Sequence, residues 1–94
     1  MVMVTSHAQE EIARLAPFVG RARIHSLVRR ARQLPNDGSF AVCCPMHKVT
    51  DPERDQRRPS DVAAAIVRRG KLITVMLTRR EQVNRAHLRV DNIL

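Results

Sequence analysis

Residues 61–78, DVAAAIVRRGKLITVMLT, constrain the fold more than any other part of this chain. Two apolar runs rich in Val, Ile, Leu and Thr, 62–67 and 72–77, flank a charged Arg-Arg-Gly-Lys break, which predicts a β-hairpin. A two-residue turn at Arg69-Gly70 would align Val62, Ala64, Ile66, Ile73, Val75 and Leu77 on one face. It would also hold Arg69 at positive φ, which a long side chain disfavours. A type I turn over Arg68 and Arg69 with Gly70 as a bulge avoids that strain and is the expected geometry. In either register the other face still carries Ala, Leu, Thr74 and Met76, so neither side of the hairpin is left bare.

The rest of the chain reads as material that covers the hairpin. Ser6 with Gln9 has capping-box spacing, and Ala8, Ile12, Leu15 and Ala16 follow at helical period, predicting a helix over 6–16 that Pro17 ends. Glu10 and Glu11 fall in its first turn, with Arg14 able to pair back to Glu10. Ile24, Leu27, Val28, Ala31 and Leu34 make the apolar stripe of a second helix over 20–34, whose outer face is basic through Arg21, Arg23, His25, Arg29, Arg30 and Arg32. The Pro35-Asn36-Asp37-Gly38 turn launches a strand over 39–46, where Phe40, Val42, Cys44 and Met46 alternate against Ala41 and Cys43. Residues 47–60 are charged, interrupted by Pro52 and Pro59, and read as a long loop. After the hairpin strands, 61–68 and 71–78, comes a basic tail over 79–94. Thr78 and Glu81 there have capping-box spacing, Val83, Ala86 and Val90 suit a short helix, and 88–94 suits an edge strand. The expectation is a single α+β domain, with two N-terminal helices packed on a three- to four-stranded antiparallel sheet.

A chain of 94 residues that is 44% hydrophobic supports one modest core. The formal net charge of +8 favours polyanionic partners. Trp and Tyr are absent and only Phe18 and Phe40 are aromatic, so stacking on aromatic platforms is excluded as the main mode of nucleic-acid binding. Residues 1–4 are too short for a secretory signal, no run approaches a membrane span, and the adjacent Cys43 and Cys44 do not suggest a disulfide framework. A cytoplasmic protein is expected, with no membrane partner.

Few constellations carry chemistry. Cys43, Cys44 and His47 are close in sequence, but neighbouring strand residues face opposite ways and no Cys-x-x-Cys pair exists, so no metal site is expected. Gly-rich phosphate loops, nucleophile elbows and His-Glu-x-x-His are absent, and no cofactor is implied. What remains is His and Arg. Cutting RNA without a metal needs a base for the 2′-hydroxyl proton, an acid for the 5′-oxygen and cations for the phosphorane. His7, His47 and His87 supply the first two types; Arg57, Arg58, Arg79 and Arg80 supply the third. Arg54, Arg57 and Arg58 of the loop, with Arg85, His87 and Arg89 of the tail, are the expected nucleic-acid contacts.

The order of elements, two helices opening on Ser6-His7-Ala8 and then a meander ending in Val-Arg-Arg-Gly-Lys-Leu-Ile-Thr-Val, resembles the small RelE-like toxins. More broadly it is similar to the barnase, EndoU, colicin and RelE group of ribonucleases. The resemblance implies His7, Thr74 and Arg79 as active-site candidates, beside Arg80. The chain departs from many of those proteins in lacking tyrosine and in its long insertion at 47–60. The leading expectation is a RelE-like, metal-independent ribonuclease or toxin acting on RNA, with an acidic antitoxin as a further partner. The rival is a small non-enzymatic protein, phage-encoded, that binds and modulates a host protein or nucleic acid. A third reading is a DNA-binding module that uses the arginines of the second helix.

Overall fold

The computed structural model describes residues 2–53, 59–86 and 88–93. In chain order the elements are β1 (Met3–Val4), α1 (Ser6–Val19), α2 (Arg21–Arg32), β2 (Ser39–Val49), β3 (Ser60–Arg68), β4 (Lys71–Thr78), α3 (Arg80–Arg85) and β5 (Arg89–Asn92). The strands form one sheet in the order β1-β4-β3-β2-β5. β2, β3 and β4 are the expected antiparallel meander, but β1 lies parallel to β4 and β5 parallel to β2. The architecture is therefore α+β with a five-stranded mixed sheet, not a three- to four-stranded antiparallel one. Both added strands are short segments near the ends of the chain, held by distant partners.

The central strand explains why the hairpin dominates the sequence. Val62 through Val67 are all buried, because β3 has a strand on each side and packing on both faces. On one face α1 and α2 bring Leu15, Val19, Leu27 and Ala31 onto Val42, Ala65, Val67, Leu72 and Leu77. On the other, Ala41, Cys43, Val62, Ala64 and Ile66 lie under Val83 of α3. Three alanines in succession, Ala63 to Ala65, let the backbone run between these layers without bulk. Among the described residues no helix is long and apolar enough to cross a membrane.

Several boundaries differ from those expected, each for a local reason. The cap of α1 is Thr5, not Ser6: the Thr5 hydroxyl accepts the Ala8 N–H at 3.1 Å while donating to the Leu72 carbonyl at 3.0 Å. Glu10 and Glu11 consequently fall beyond the first turn. Pro17 lies inside α1 instead of ending it. Ala13, whose carbonyl has no Pro17 N–H to accept, is exposed, as is Pro17, so the lost bond falls on the solvent side of the helix. The helix then continues far enough to bury Val19, and Gly20, at φ 95°, turns the chain sharply into α2. α2 ends at Arg32, although Leu34 still reaches the core. β2 extends to Val49, which pairs with Ser60, and so shortens the loop expected from His47. In the tail, Val90 belongs to β5 and not to a helix.

The hairpin turn takes the strained alternative. Arg69 and Gly70 have φ of 50° and 77°, Arg68 pairs with Lys71, and the bulge expected at Gly70 is found inside β4. There Ile66 pairs with Thr74 and Val67 with Leu72, leaving Ile73 as the extra residue.

Candidate functional site

The first turn of α1 is fixed to β4 by backbone and side chain together. The Thr5 N–H donates to the Leu72 carbonyl at 3.1 Å, alongside the hydroxyl bond that also caps the helix. Two residues on, His7 comes to the bulged part of β4, where its Nε2 lies 3.4 Å from Thr74 Oγ1. The bulge at Ile73 sets the direction in which Thr74 leaves the strand. Two of the expected catalytic residues, far apart in sequence, thus meet at a solvent-exposed point.

Arg79 and Arg80 lie elsewhere, past the far end of β4. Arg79 is five positions beyond Thr74, roughly 16 Å at the usual rise of a strand. Arg79 is the N-cap position of α3, with its guanidinium 3.5 Å from Glu81. It caps nothing with its side chain; instead Asp61 of β3 accepts the Arg80 N–H at 2.9 Å. The capping expected from Thr78 is therefore supplied across the sheet. The Arg80 guanidinium donates to Asn92 Oδ1 at 2.8 Å, tying α3 to β5. The structure brings His7 to Thr74, whereas Arg79 and Arg80, neighbours in sequence, face Glu81 and Asn92 at the far end of β4.

Of the expected nucleic-acid contacts, Arg85 is exposed at the end of α3, and Arg89 on β5 lies over the Phe40 ring, 5.9 Å from its centroid. Arg54, Arg57, Arg58 and His87 fall outside the described residues. His47 is exposed on β2. Among the described residues no three His, Cys, Asp or Glu side chains converge as a metal site would require. The basic face of α2 is partly engaged, since Arg30 pairs with Asp91 of β5.

One residue acquires a role that the sequence did not suggest. Asp51, inside the charged stretch that reads as a long loop, is only 1% exposed and accepts from both terminal nitrogens of Arg14, at 2.7 and 2.9 Å. Arg14 also holds Glu11 at 2.6 Å, so its partner within the helix is three residues back and not Glu10. The signal for this was Asp51-Pro52, since Asp51 Oδ1 accepts the Glu53 N–H at 3.0 Å in an Asx turn. Cys43 is fully buried beneath α3. Burial pushes its thiol up, against the pull of nearby Arg80, which makes it a hydrophobe rather than a nucleophile.

No family model, curated protein or solved structure matches this chain.

Proposed function

We propose that this protein acts on RNA in the cytoplasm as a RelE-like, metal-independent ribonuclease or toxin. The observation that carries the reading is the approach of His7 Nε2 to Thr74 Oγ1 at an exposed position on a basic domain. In this mechanism His7 accepts the proton of a 2′-hydroxyl on Nδ1 while Thr74, at Nε2, holds the imidazole in place. The 2′-oxygen forms its bond to phosphorus, the bond to the 5′-oxygen breaks, and that oxygen takes a proton from water. Arg79 and Arg80 are too far along β4 to share the reacting phosphate with His7. They suit other phosphates of the same strand, whose binding fixes the substrate's register.

That separation also favours a second reading, a non-enzymatic binding protein. The guanidinium of Arg80 is held by Asn92 and that of Arg79 lies near Glu81, so both help to position α3. A host protein or an acidic antitoxin is the partner that a domain of net charge +8 would take in either case.

The test is cleavage of single-stranded RNA in the presence of EDTA by wild type, His7→Ala, Thr74→Ala and the Arg79→Ala/Arg80→Ala double variant. Loss of cleavage in His7→Ala with an unchanged melting temperature is the expected result. Full activity in that variant rejects the site, and RNA left intact by wild type, with capture of one defined protein partner, supports the second reading.

A further inference from the structure

The tip of the β3–β4 hairpin has a structural oddity that the proposed chemistry does not use. A two-residue turn with both central residues at positive φ is ordinarily filled by Asn-Gly or Asp-Gly. Here the first position is Arg69, at φ 50°, a conformation that costs a long side chain energy and that Asn would occupy more easily. The strain is held by its surroundings. The Arg69 N–H donates to the Gly38 carbonyl and the Gly70 carbonyl accepts the Met3 N–H, both at 2.9 Å. A Cβ on Gly70 would lie 3.2 Å from the Asn36 carbonyl, so the tip rests directly against the turn before β2.

The result is a rigid knuckle carrying three exposed cations, Arg68, Arg69 and Lys71. Among the described residues none of the three has an ion-pair partner, and Asp37 on the neighbouring turn does not pair with them. Arg14, Arg30 and Arg79, by contrast, all lie within ion-pairing distance of acids. Beside the knuckle, β1 pairs with Lys71 and Leu72 and presents Met3, a 69% exposed side chain. Met3 lines an open cavity of about 380 Å³ together with Val2, Val4, Gln9 and Arg32. Free cations next to an apolar, concave surface suit a nucleotide, with phosphate on the cations and a base set down on the methionine. The same strand, β4, leads from Lys71 to Thr74 in three residues, about 10 Å at the strand rise.

We propose that the knuckle formed by Arg68, Arg69 and Lys71, with Met3 beside it, is a docking surface for the sugar–phosphate backbone of single-stranded RNA. It leads the strand along β4 toward His7. The assignment rests on the RNA-directed reading above and adds to it a second contact surface, at the opposite end of β4 from Arg79 and Arg80.

The experiment measures binding separately from cutting. A short fluorescent oligouridylate is titrated against His7→Ala protein, which leaves the strand whole, with and without Arg68→Gln, Arg69→Asn and Lys71→Gln. Removing three phosphate contacts is expected to weaken binding by about tenfold or more and to lower the slope of log affinity against log salt by about 2. Met3→Ser alone is expected to weaken binding without changing that slope. Affinity within about twofold of the parent in the triple variant overturns the surface, as does tighter binding to duplex DNA than to RNA. Because cleavage by the wild type is scored independently, a protein that cuts RNA yet ignores the triple substitution rejects this surface alone. One that neither binds nor cuts rejects the RNA-directed reading as well.

Discussion

Arg14 and Asp51 meet through both terminal nitrogens of the guanidinium and both carboxylate oxygens, joining the middle of α1 to the chain just after β2. The pair is lopsided: Asp51 is buried, whereas Arg14 still reaches solvent and shares its charge with Glu11. Removing the acid leaves a partly hydrated cation with a second partner, which moderates the usual cost of breaking a buried pair. Asp51→Ala is expected to destabilise the protein by about 2 kcal/mol in urea unfolding, and Asp51→Asn by roughly half as much because the amide keeps the Asx turn. A loss below a few tenths of a kcal/mol for Asp51→Ala would show that the pair contributes little.

Thr5 acts twice through one hydroxyl, capping α1 and bonding to the Leu72 carbonyl. Thr5→Ala should cost about 1–2 kcal/mol, the sum of a lost cap and a lost hydrogen bond. Thr5→Ser should recover most of it. Under the RNA-directed reading the same variants report on function, because Thr5 anchors the turn that carries His7: RNA cleavage should fall in Thr5→Ala and return in Thr5→Ser. Cleavage that tracks neither substitution would uncouple the cap from the site.

Arg69 holds a left-handed conformation that asparagine tolerates better. Arg69→Asn should therefore raise stability by about 0.5 kcal/mol, read as a higher urea midpoint with an unchanged m value. A lower midpoint would mean that the arginine side chain contributes packing that outweighs the strain.

Cys43 gives a pH dependence of defined sign. Burial raises its thiol above the ordinary value of 9.0, so the folded protein keeps the proton where the unfolded chain gives it up. Its contribution to stability is complete below pH 9.0 and falls as pH rises above that, until the folded thiol itself ionises. Urea midpoints measured upward from neutral pH should decline less steeply in Cys43→Ala than in wild type. Identical slopes would remove the thiol from the explanation.

The meander was legible because 62–67 is apolar on both sides and Phe40, Val42 and Cys44 alternate with Ala41 and Cys43 in β2, although that alternation suits one packed face and the structure buries Ala41 and Cys43 as well. β1 was not legible, since two residues, Met3 and Val4, show no period and acquire strand geometry only by pairing with Lys71 and Leu72. β5 was visible as an alternation, but its parallel direction depends on where α3 sets it down. Pro17 is a sound stop signal that burial of Val19 overrides. The turn at Arg69-Gly70 was decided against local preference by Gly38, Asn36 and Met3, which are distant in sequence. For the candidate site the residue types were readable and their distances were not. The approach of His7 to Thr74 depends on β1, Thr5 and the Ile73 bulge, the features that local pattern does not reveal.

Because β1 finds its neighbour only in β4, that edge of the sheet stays unfinished until β4 has been made. His7 is made first and waits for Thr74, which is made 67 residues later. Nascent chains stopped anywhere before β4 lack the pairing that sets His7 in place, however well α1 has formed. Under the RNA-directed reading, the order of synthesis therefore holds activity back until β4 has been made and has paired with β1.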